Sequence, residues 1–423
     1  MQLILGILGF IFIFGLAVLF HELGHFLTAR KFGVLCHEFA IGMGPILWKK
    51  RSGETLYTIR AIPIGGFVSM GMNEGERDKI KTGTEIGLTL EPMGKVVKIH
   101  VQPEEGHIAG TLISNTSDVS SDLEIAIEVA GERKVYPVDA QAIYIDSKQD
   151  RQERIVPTDR RLEEKPKWQR FIIFVSGAIM NFILAYILVL VVAMFMGEVV
   201  GSTVHLDSVN VGSPAENAGL AEGDILREIN GFSITEGRHV GERLQEVGSN
   251  EVIVVFERNG NLQETLVTPN YVDGRYLLGV TTLTTPILGE RTLAGTFRSA
   301  NQQWLNGAMM IVNSLRMLAT REAGVNDLAG VVGIVHMTSE VAMLGFIPLL
   351  MFASVININL GIFNLLPFPA LDGGHITFVA IEAVIGRPVD AKIQNIVSMI
   401  GMALLLMLML FTVFNDVFRI FFR

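Results

Sequence analysis

Four long apolar runs constrain this chain more than any other feature of its sequence. They extend from Leu3 to about Ala29, from Phe171 to Met196, from about Gly345 to Leu366 and from about Ile396 to Phe414. Each is close to the roughly 20 residues that a helix needs to cross the hydrocarbon core of a bilayer. A hydrophobic content of 49 % is also high for a soluble protein. We therefore predict a polytopic α-helical membrane protein with four transmembrane helices.

Basic residues flank these runs asymmetrically. Lys and Arg follow the first run and precede the second, whereas none occurs between Met196 and Arg227. By the positive-inside rule, residues 30–170 lie in the cytoplasm and residues 197–344 lie outside. Both termini are then outside the cell membrane, and the connection at 367–395 is inside.

The start of the chain and its net charge exclude two other interpretations. The first run has no basic start and is longer than the apolar core of about 7–15 residues of a signal peptide, so we expect residues 1–30 to remain as a transmembrane helix. The net charge of −9 argues against a nucleic-acid partner, because phosphate binding requires a basic surface. The single cysteine, Cys36, excludes an intrachain disulfide.

Residues 31–170 carry two β-type patterns. In residues 54–72, β-branched and aromatic residues precede Pro63 and the pair Gly65-Gly66, a pattern that predicts a β-hairpin at the membrane surface. From about 95 to 145, short stretches alternate apolar with polar residues, as half-buried strands do. We expect these stretches to form a small cytoplasmic β-rich unit.

The outer segment contains a turn, a short helix, a glycine stop and strands. The stretch GSPAENAGLAEGDILREING runs from Gly212 to Gly231, and the next strand ends in an Asn-Gly turn. This pattern resembles the core of a PDZ domain, which binds extended peptides at a sheet edge. We assign residues 197–285 to an extracytoplasmic PDZ-like α+β domain, the alternative being another small module with the same turns. The sequence of residues 286–344 predicts either an amphipathic helix on the membrane surface or an ordinary linker helix.

The strongest chemical motif is His21-Glu22-Leu23-Gly24-His25, near the inner end of the first run. Residues four apart share a helix face, so both imidazoles can reach one zinc ion while Glu22 acts as general base. Given the chain's 9 histidines and 43 acidic residues, about 0.02 His-acid-x-x-His matches are expected by chance. The alternative is a water-facing cluster at the helix end.

A catalytic zinc site needs a third protein ligand. The third run, with its extension to residue 375, ends in Asn364-Leu-Leu-Pro-Phe-Pro-Ala-Leu-Asp372-Gly-Gly-His375. The charge bias puts Asp372 on the same side of the membrane as the two histidines. His375 is the rival ligand.

These motifs together resemble the site-2 protease family of intramembrane zinc metalloproteases, in particular bacterial regulator-of-sigma-E proteases with a single PDZ domain. The resemblance covers HELGH, Phe39 to Pro45, AIPIGGFVSM, the PDZ-like segment, NLLPFPALDGG and the short last span at 396–415. Two departures are Gly177-Ala178 and Gly330-Val331, where family members often have Gly-Pro.

The resemblance implies zinc ligation by His21, His25 and Asp372, with Glu22 as the catalytic base. It also implies that Asn364 positions substrate or stabilises the developing oxyanion, and that the 54–72 hairpin pairs with unwound substrate. The expected substrates are single-span membrane proteins such as anti-sigma factors, or remnant signal peptides, with a peptide ligand possible at the PDZ-like domain. The alternatives are a membrane-anchored zinc protease acting on soluble peptides and a non-catalytic PDZ scaffold.

Overall fold

The computed structural model describes residues 2–71, 83–114, 124–146, 151–272, 274–322, 324 and 328–422. The chain divides into two compact units, which are Met1–Leu188 with Asn306–Arg423 and Val189–Leu305. The first unit contains most of the apolar helices, and the second is mainly a β-sheet.

The described residues form nine α-helices, of which four are long and apolar enough to cross a membrane. The helices are α1 Gln2–Lys31, α2 Lys167–Met196, α3 Pro214–Asn217, α4 Gly237–Val247, α5 Leu293–Ala319, α6 Val331–Leu344, α7 Phe346–Leu365, α8 Asp372–Ile385 and α9 Ala391–Phe422. The candidate spans are Ile4–Lys31, Lys167–Met196, Phe346–Leu365 and Ala391–Arg419. Each overlaps one of the four runs predicted from the sequence.

The region 286–344 contains two helices, α5 and α6. Helix α6 has 14 residues, which rise about 21 Å and so fall short of a membrane span. It packs closely on α1. A Cβ built at Gly6 would lie 2.6 Å from Cβ of Ser339, and one at Gly9 would lie 2.9 Å from Cγ2 of Thr338. Glycine on α1 therefore lets the two helices approach closely.

The described residues also form sixteen β-strands. These are β1 Cys36–Ser52, β2 Thr55–Met70, β3 Glu85–Leu90, β4 Val96–His100, β5 Ile108–Ser114, β6 Glu124–Val129, β7 Glu132–Asp146, β8 Arg151–Arg154, β9 Val199–Val209, β10 Ile225–Ile229, β11 Phe232–Ser233, β12 Val252–Arg258, β13 Asn261–Val267, β14 Asn270–Val272, β15 Arg275–Leu277 and β16 Val280–Leu288. A 3₁₀ turn at Thr158–Arg160 precedes α2.

The β-hairpin is longer than predicted and turns elsewhere. Strands β1 and β2 pair antiparallel, and the chain reverses after Ser52, where Gly53 has φ +60°. The prediction of a hairpin confined to residues 54–72 was therefore wrong, because β2 is only its second strand; residue 72 lies outside the described residues. Gly65, at φ +84°, lies within β2 and forms no turn between strands.

The hairpin curls back on itself. Residues 38–41 of β1 align with residues 66–69 of β2 and also with residues 56–59 of the same strand. Among the described strands, β2 pairs only with β1. The segment from Gly66 to Met70 therefore forms an edge of this small sheet, and α1 packs against β2.

The predicted β-rich unit at 95–145 corresponds to part of a six-stranded sheet. Its strand order is β4-β3-β5-β6-β7-β8, and β4 also pairs with β7, which closes the sheet on itself. Closure of the path from β3 to β7 encloses a core, and β8 is added at β7. The fully buried side chains of that core include Ile86, Val96, Ile99, Ile125 and Ile127.

The main sheet of the second unit has the strand order β13-β12-β10-β9-β16, and β11 pairs with β10. Ser213 caps the short helix α3, because its Oγ accepts a hydrogen bond from the backbone N–H of Glu216 at 3.2 Å. The turn between β12 and β13 uses Asn259 and Gly260, both at positive φ, as a two-residue hairpin turn requires. The apolar residues Val204, Leu226 and Val254 are fully buried between these elements.

A buried ion pair joins the start of α2 to α8. Arg170 donates from Nη1 to Oε2 of Glu382 at 2.6 Å, and their side chains are 10 % and 2 % exposed. Lys167 donates to the backbone carbonyl of Glu382 at 2.9 Å. A buried charge needs its partner in place, so this pair fixes the end of α8 against α2.

We expect Glu382→Gln to lower the free energy of unfolding by about 3 kcal/mol or more, because Arg170 would stay buried without its counter-charge. The double variant Arg170→Met/Glu382→Leu should recover most of that loss. Thermal or denaturant unfolding of the protein purified in detergent measures both effects.

The matched control is Glu236→Gln, which breaks the exposed Arg238–Glu236 pair and should change stability little. An equal effect of Glu382→Gln and Glu236→Gln would contradict the importance of the buried pair.

Candidate metal centre

Helix α1 presents His21 and His25 on one face. The two residues are one turn apart, so their rings meet edge to face with centroids 4.8 Å apart. Their Nε2 atoms lie 3.2 Å from each other. Two nitrogen ligand atoms therefore point to one place.

Asp372 reaches the same place from a tight loop after α7. Helix α7 ends at Leu365 because Pro367 and Pro369 cannot continue it. The loop includes Ala370 at φ +76°, and α8 begins at Asp372. The prediction that Asp372 ends the third transmembrane helix was wrong, because the aspartate is the first residue of a separate helix.

The two glycines after Asp372 make this return possible. A Cβ at Gly373 would overlap the carbonyl oxygen of Leu366, and one at Gly374 would lie 2.6 Å from the carbonyl oxygen of Phe368. Only glycine permits so close an approach of backbone to backbone.

The three ligand atoms match the size of a zinc site. Oδ2 of Asp372 lies 3.2 Å from Nε2 of His21 and 3.2 Å from Nε2 of His25. Tetrahedral zinc with bonds of about 2.0–2.1 Å separates its ligand atoms by about 3.3 Å. No described residue donates a properly aligned hydrogen bond to this buried oxygen. A cation among the three atoms would satisfy it.

The orientation of His25 also suits a metal ligand. Its Nδ1–H donates to the backbone carbonyl of Ile173 in α2 at 2.8 Å. That bond places the proton on Nδ1 and leaves the Nε2 lone pair free. The side chain is buried, with the residue 5 % exposed, which argues against the water-facing cluster that the sequence alone left open.

Helix α2 covers the site at a glycine. A Cβ at Gly177 would overlap Nε2 of His25 and lie 2.7 Å from Cε1 of His21. On the facing side, a Cβ at Gly24 would overlap the carbonyl oxygen of Ser176. The sequence analysis noted Gly177 only as a departure from a family pattern, and its contact with both imidazoles was not foreseen.

Glu22 lies beside the ligands and against the hairpin edge. It accepts a hydrogen bond from the backbone N–H of Val68 and interacts electrostatically with the two histidines and Asp372. A Cβ at Gly66 would come within 3.4 Å of its Cγ. The carboxyl group thus lies between the three ligands and β2.

Two other predicted residues are near the cluster without belonging to it. His375 stacks on Phe174 with ring centroids 4.9 Å apart, and the only described group of metal-ligating side chains consists of His21, His25 and Asp372. The structure therefore places Asp372, and not His375, beside the two histidines. Asn364 is half-buried, with Nδ2 3.4 Å from Nδ1 of His21.

Asn181 is a neighbour of the site that sequence reasoning missed. Its Nδ2 lies 3.5 Å from Nδ1 of His21, and the residue is 1 % exposed. A polar residue within the apolar run of α2 was the available signal, because polar groups at membrane depth are costly.

Similarity to known proteins extends over nearly the whole chain. The model of peptidase family M50 matches residues 9–408. The chain is 34 % identical to zinc metalloprotease RasP of Shouchella clausii, over 98 % of this chain and 99 % of the relative. It is also 34 % identical to the regulator of sigma-W protease RasP of Bacillus subtilis, with the same coverage.

Among solved structures, the PDZ domain of an SdrC-like protein from Listeria monocytogenes is similar to part of the chain. The match covers 19 % of this chain and 86 % of that domain, at 20 % identity and a TM-score of 0.18. A score this low supports no conclusion about the second unit.

We expect Gly177→Ala to lower zinc affinity at least about 10-fold, because the added methyl group would push Nε2 of His25 from the other ligand atoms. Zinc content per protein after dialysis against a chelator buffer measures the effect.

Gly15→Ala on α1 is the matched control, since a Cβ there meets nothing within 4 Å. Full zinc occupancy in Gly177→Ala would contradict the close packing of α2 on the ligands.

Proposed function

Because the chain belongs to peptidase family M50 and is an intramembrane zinc metalloprotease of the site-2 protease type, we propose that His21, His25 and Asp372 hold its zinc and that Glu22 is its general base. The observation that carries this proposal is the convergence of the three ligand atoms at separations of 3.2 Å. The chain is a multi-pass membrane protein, so the site lies among apolar helices.

The reaction is hydrolysis of a peptide bond. Bound zinc supplies a Lewis acid that polarises the scissile carbonyl and acidifies water. Glu22 removes a proton from the attacking water, whose oxygen bonds to the carbonyl carbon. The same carboxyl group then delivers the proton to the leaving amine nitrogen as the C–N bond breaks. The hydrogen bond from Val68 holds Glu22 in place between the ligands and β2.

Asn364 is the proposed partner of the substrate carbonyl. It is half-buried at the end of α7, and its amide lies beside His21. An amide N–H aimed at the developing oxyanion would stabilise charge that is absent from the bound substrate. We propose this role in addition to those of the metal ligands and Glu22.

Substrate is proposed to bind along the hairpin edge. A transmembrane helix hides its peptide bonds in internal hydrogen bonds, so it must unwind before cleavage. The edge from Gly66 to Met70 runs past Glu22, and its backbone groups other than the Val68 N–H can pair with the freed backbone groups by strand addition. Apolar side chains elsewhere in the hairpin, including Leu47 at 70 % exposed, suit contact with lipid.

Membrane proteins with a single span are the proposed substrates. The Bacillus subtilis relative is named as a regulator of sigma-W protease, which favours anti-sigma factors. Remnant signal peptides share the relevant feature, because they too are apolar helices that could reach a site at membrane depth. Both classes meet the protein within the bilayer.

The second unit is proposed to be a PDZ-like domain that selects substrates outside the cell. Support comes from the capped turn at Ser213, the short helix α3 and the five-strand sheet. The proposed boundaries are residues 197–285, and the observed strands extend to Leu288. A peptide added to a sheet edge is the expected ligand.

The proposed orientation puts the closed β-sheet unit in the cytoplasm and the PDZ-like domain outside. We expect a membrane-impermeant maleimide to label Val211→Cys in intact cells, and Met93→Cys only after permeabilisation. Both positions are about nine-tenths exposed, at 92 % and 88 %. Gel-shift or mass-tag analysis of the protein measures the labelling.

The wild-type chain is the background control. Its single thiol, Cys36, is buried, and burial raises the pKa of that thiol to about 12, so it should not react near neutral pH. Labelling of Met93→Cys in intact cells would reverse the proposed orientation.

We expect Glu22→Gln to keep zinc and to lose cleavage of a model single-span substrate by about 10²-fold or more, because the general base is removed while the ligands stay. His21→Ala and Asp372→Asn should lose zinc as well as activity. Zinc content and cleavage by the purified protein in detergent are measured side by side.

The same assay separates the alternatives. Cleavage of soluble peptides in preference to the single-span substrate would favour a surface protease, and unaltered cleavage by Glu22→Gln would exclude the proposed base. Full zinc retention in both His21→Ala and Asp372→Asn would overturn the proposed ligand set.

A further inference from the structure

The two histidine ligands differ in what their second ring nitrogen contacts. Nδ1–H of His25 already donates to the carbonyl of Ile173. For His21, the hydrogen-bond neighbours of Nδ1 among the described residues are the amide nitrogens of Asn181 and Asn364, at 3.5 and 3.4 Å. When Nε2 of a histidine binds a metal, the remaining proton is on Nδ1 and needs an acceptor.

Asn181 has an acceptor that lacks a donor. The residue is 1 % exposed, and its Oδ1 is buried with no hydrogen-bond partner among the described residues. A buried carbonyl oxygen left unpaired is unfavourable, because it has lost its hydrogen bonds to water without replacing them. A half-turn of the carboxamide exchanges its oxygen and nitrogen with almost no change of shape.

That half-turn gives the Nδ1–H of His21 an acceptor. It places Oδ1 of Asn181 where Nδ2 now lies, 3.5 Å from Nδ1 of His21, so the unpaired oxygen faces the ring N–H. We propose that Asn181 is a positioning residue that accepts the Nδ1–H of His21, fixes its tautomer and orients Nε2 toward the zinc. The inference rests on the proposed ligand set and adds a residue to it.

Asn364 is less suited to the same role. It is half-buried rather than enclosed, and its Oδ1 is not among the buried unpaired atoms of the described residues. It also lies on α7, which is followed by the loop to Asp372. The two asparagines thus have different roles. Asn181 orients His21, and Asn364 remains free to contact the substrate carbonyl.

The test compares zinc affinity, measured by competition with a chromophoric chelator, in the full-length protein in detergent. Asn181→Leu has a similar shape but cannot accept a hydrogen bond, so it should bind zinc about 10- to 100-fold more weakly. Asn181→Asp keeps an acceptor and should stay within about threefold of wild type. Asn364→Leu should also keep near wild-type affinity while losing turnover of the single-span substrate.

His21→Ala sets the lower limit of affinity and separates two kinds of failure. If His21→Ala binds zinc as wild type does, the proposed ligand set is wrong. If only His21→Ala loses affinity, the ligand set stands and the role of Asn181 is overturned. Equal losses in Asn181→Leu and Asn181→Asp would also overturn it, because a purely structural role does not distinguish an acceptor from a methyl group.

Discussion

The imidazoles of His21 and His25 and the carboxylate of Asp372 are groups that apolar surroundings disfavour, yet their ligand atoms lie 3.2 Å apart among membrane-type helices. A divalent cation held among these atoms, as proposed, would offset the cost of burying the carboxylate and would use the lone pairs of both rings. Glycine makes the approach possible from every side, at Gly24 on α1, Gly177 on α2 and Gly373 on α8. The packing of these three helices is therefore arranged around the ligand atoms, and the Arg170–Glu382 pair ties α2 to α8 a short distance away.

Much of this arrangement was readable in the sequence because it depends on local spacing. A pair of histidines four residues apart defines one helix face without any tertiary information, and apolar length alone locates the four candidate spans. The Pro-rich break before Asp372 was also visible. Its consequence was misread, since a proline shows where a helix stops but not that the next residues begin another helix. Helix α8 was therefore not predicted, because residues 367–395 were expected to form a connection.

The features that the sequence did not predict are those that depend on contacts between distant segments. Gly65-Gly66 has the composition of a turn, but the chain reverses at Gly53. The sequence did not predict this, because the partner strand β1 has too little alternation of apolar and polar residues to be recognised. Helix α6 was missed because its 14 residues are too few for a membrane span. Neither Asn181 nor Gly177 was assigned a role from the sequence, and the importance proposed for them follows from their proximity to His21 and His25.

The β1–β2 hairpin beside Glu22 is held at its tip and at its base, which bears on how a substrate would pair with its edge. At the tip, Glu54 accepts hydrogen bonds from Arg160 at 2.6 and 2.8 Å. The hydrogen bond from the Arg160 guanidinium holds the pKa of Glu54 below its usual range, so the contact persists at neutral pH. At the base, the backbone N–H of Gly71 donates to Leu35 at 2.6 Å. An edge fixed in this way loses little freedom when a strand pairs with it. The cost of ordering would then fall on the substrate, so the proposed pairing would favour helices that unwind easily beside Glu22.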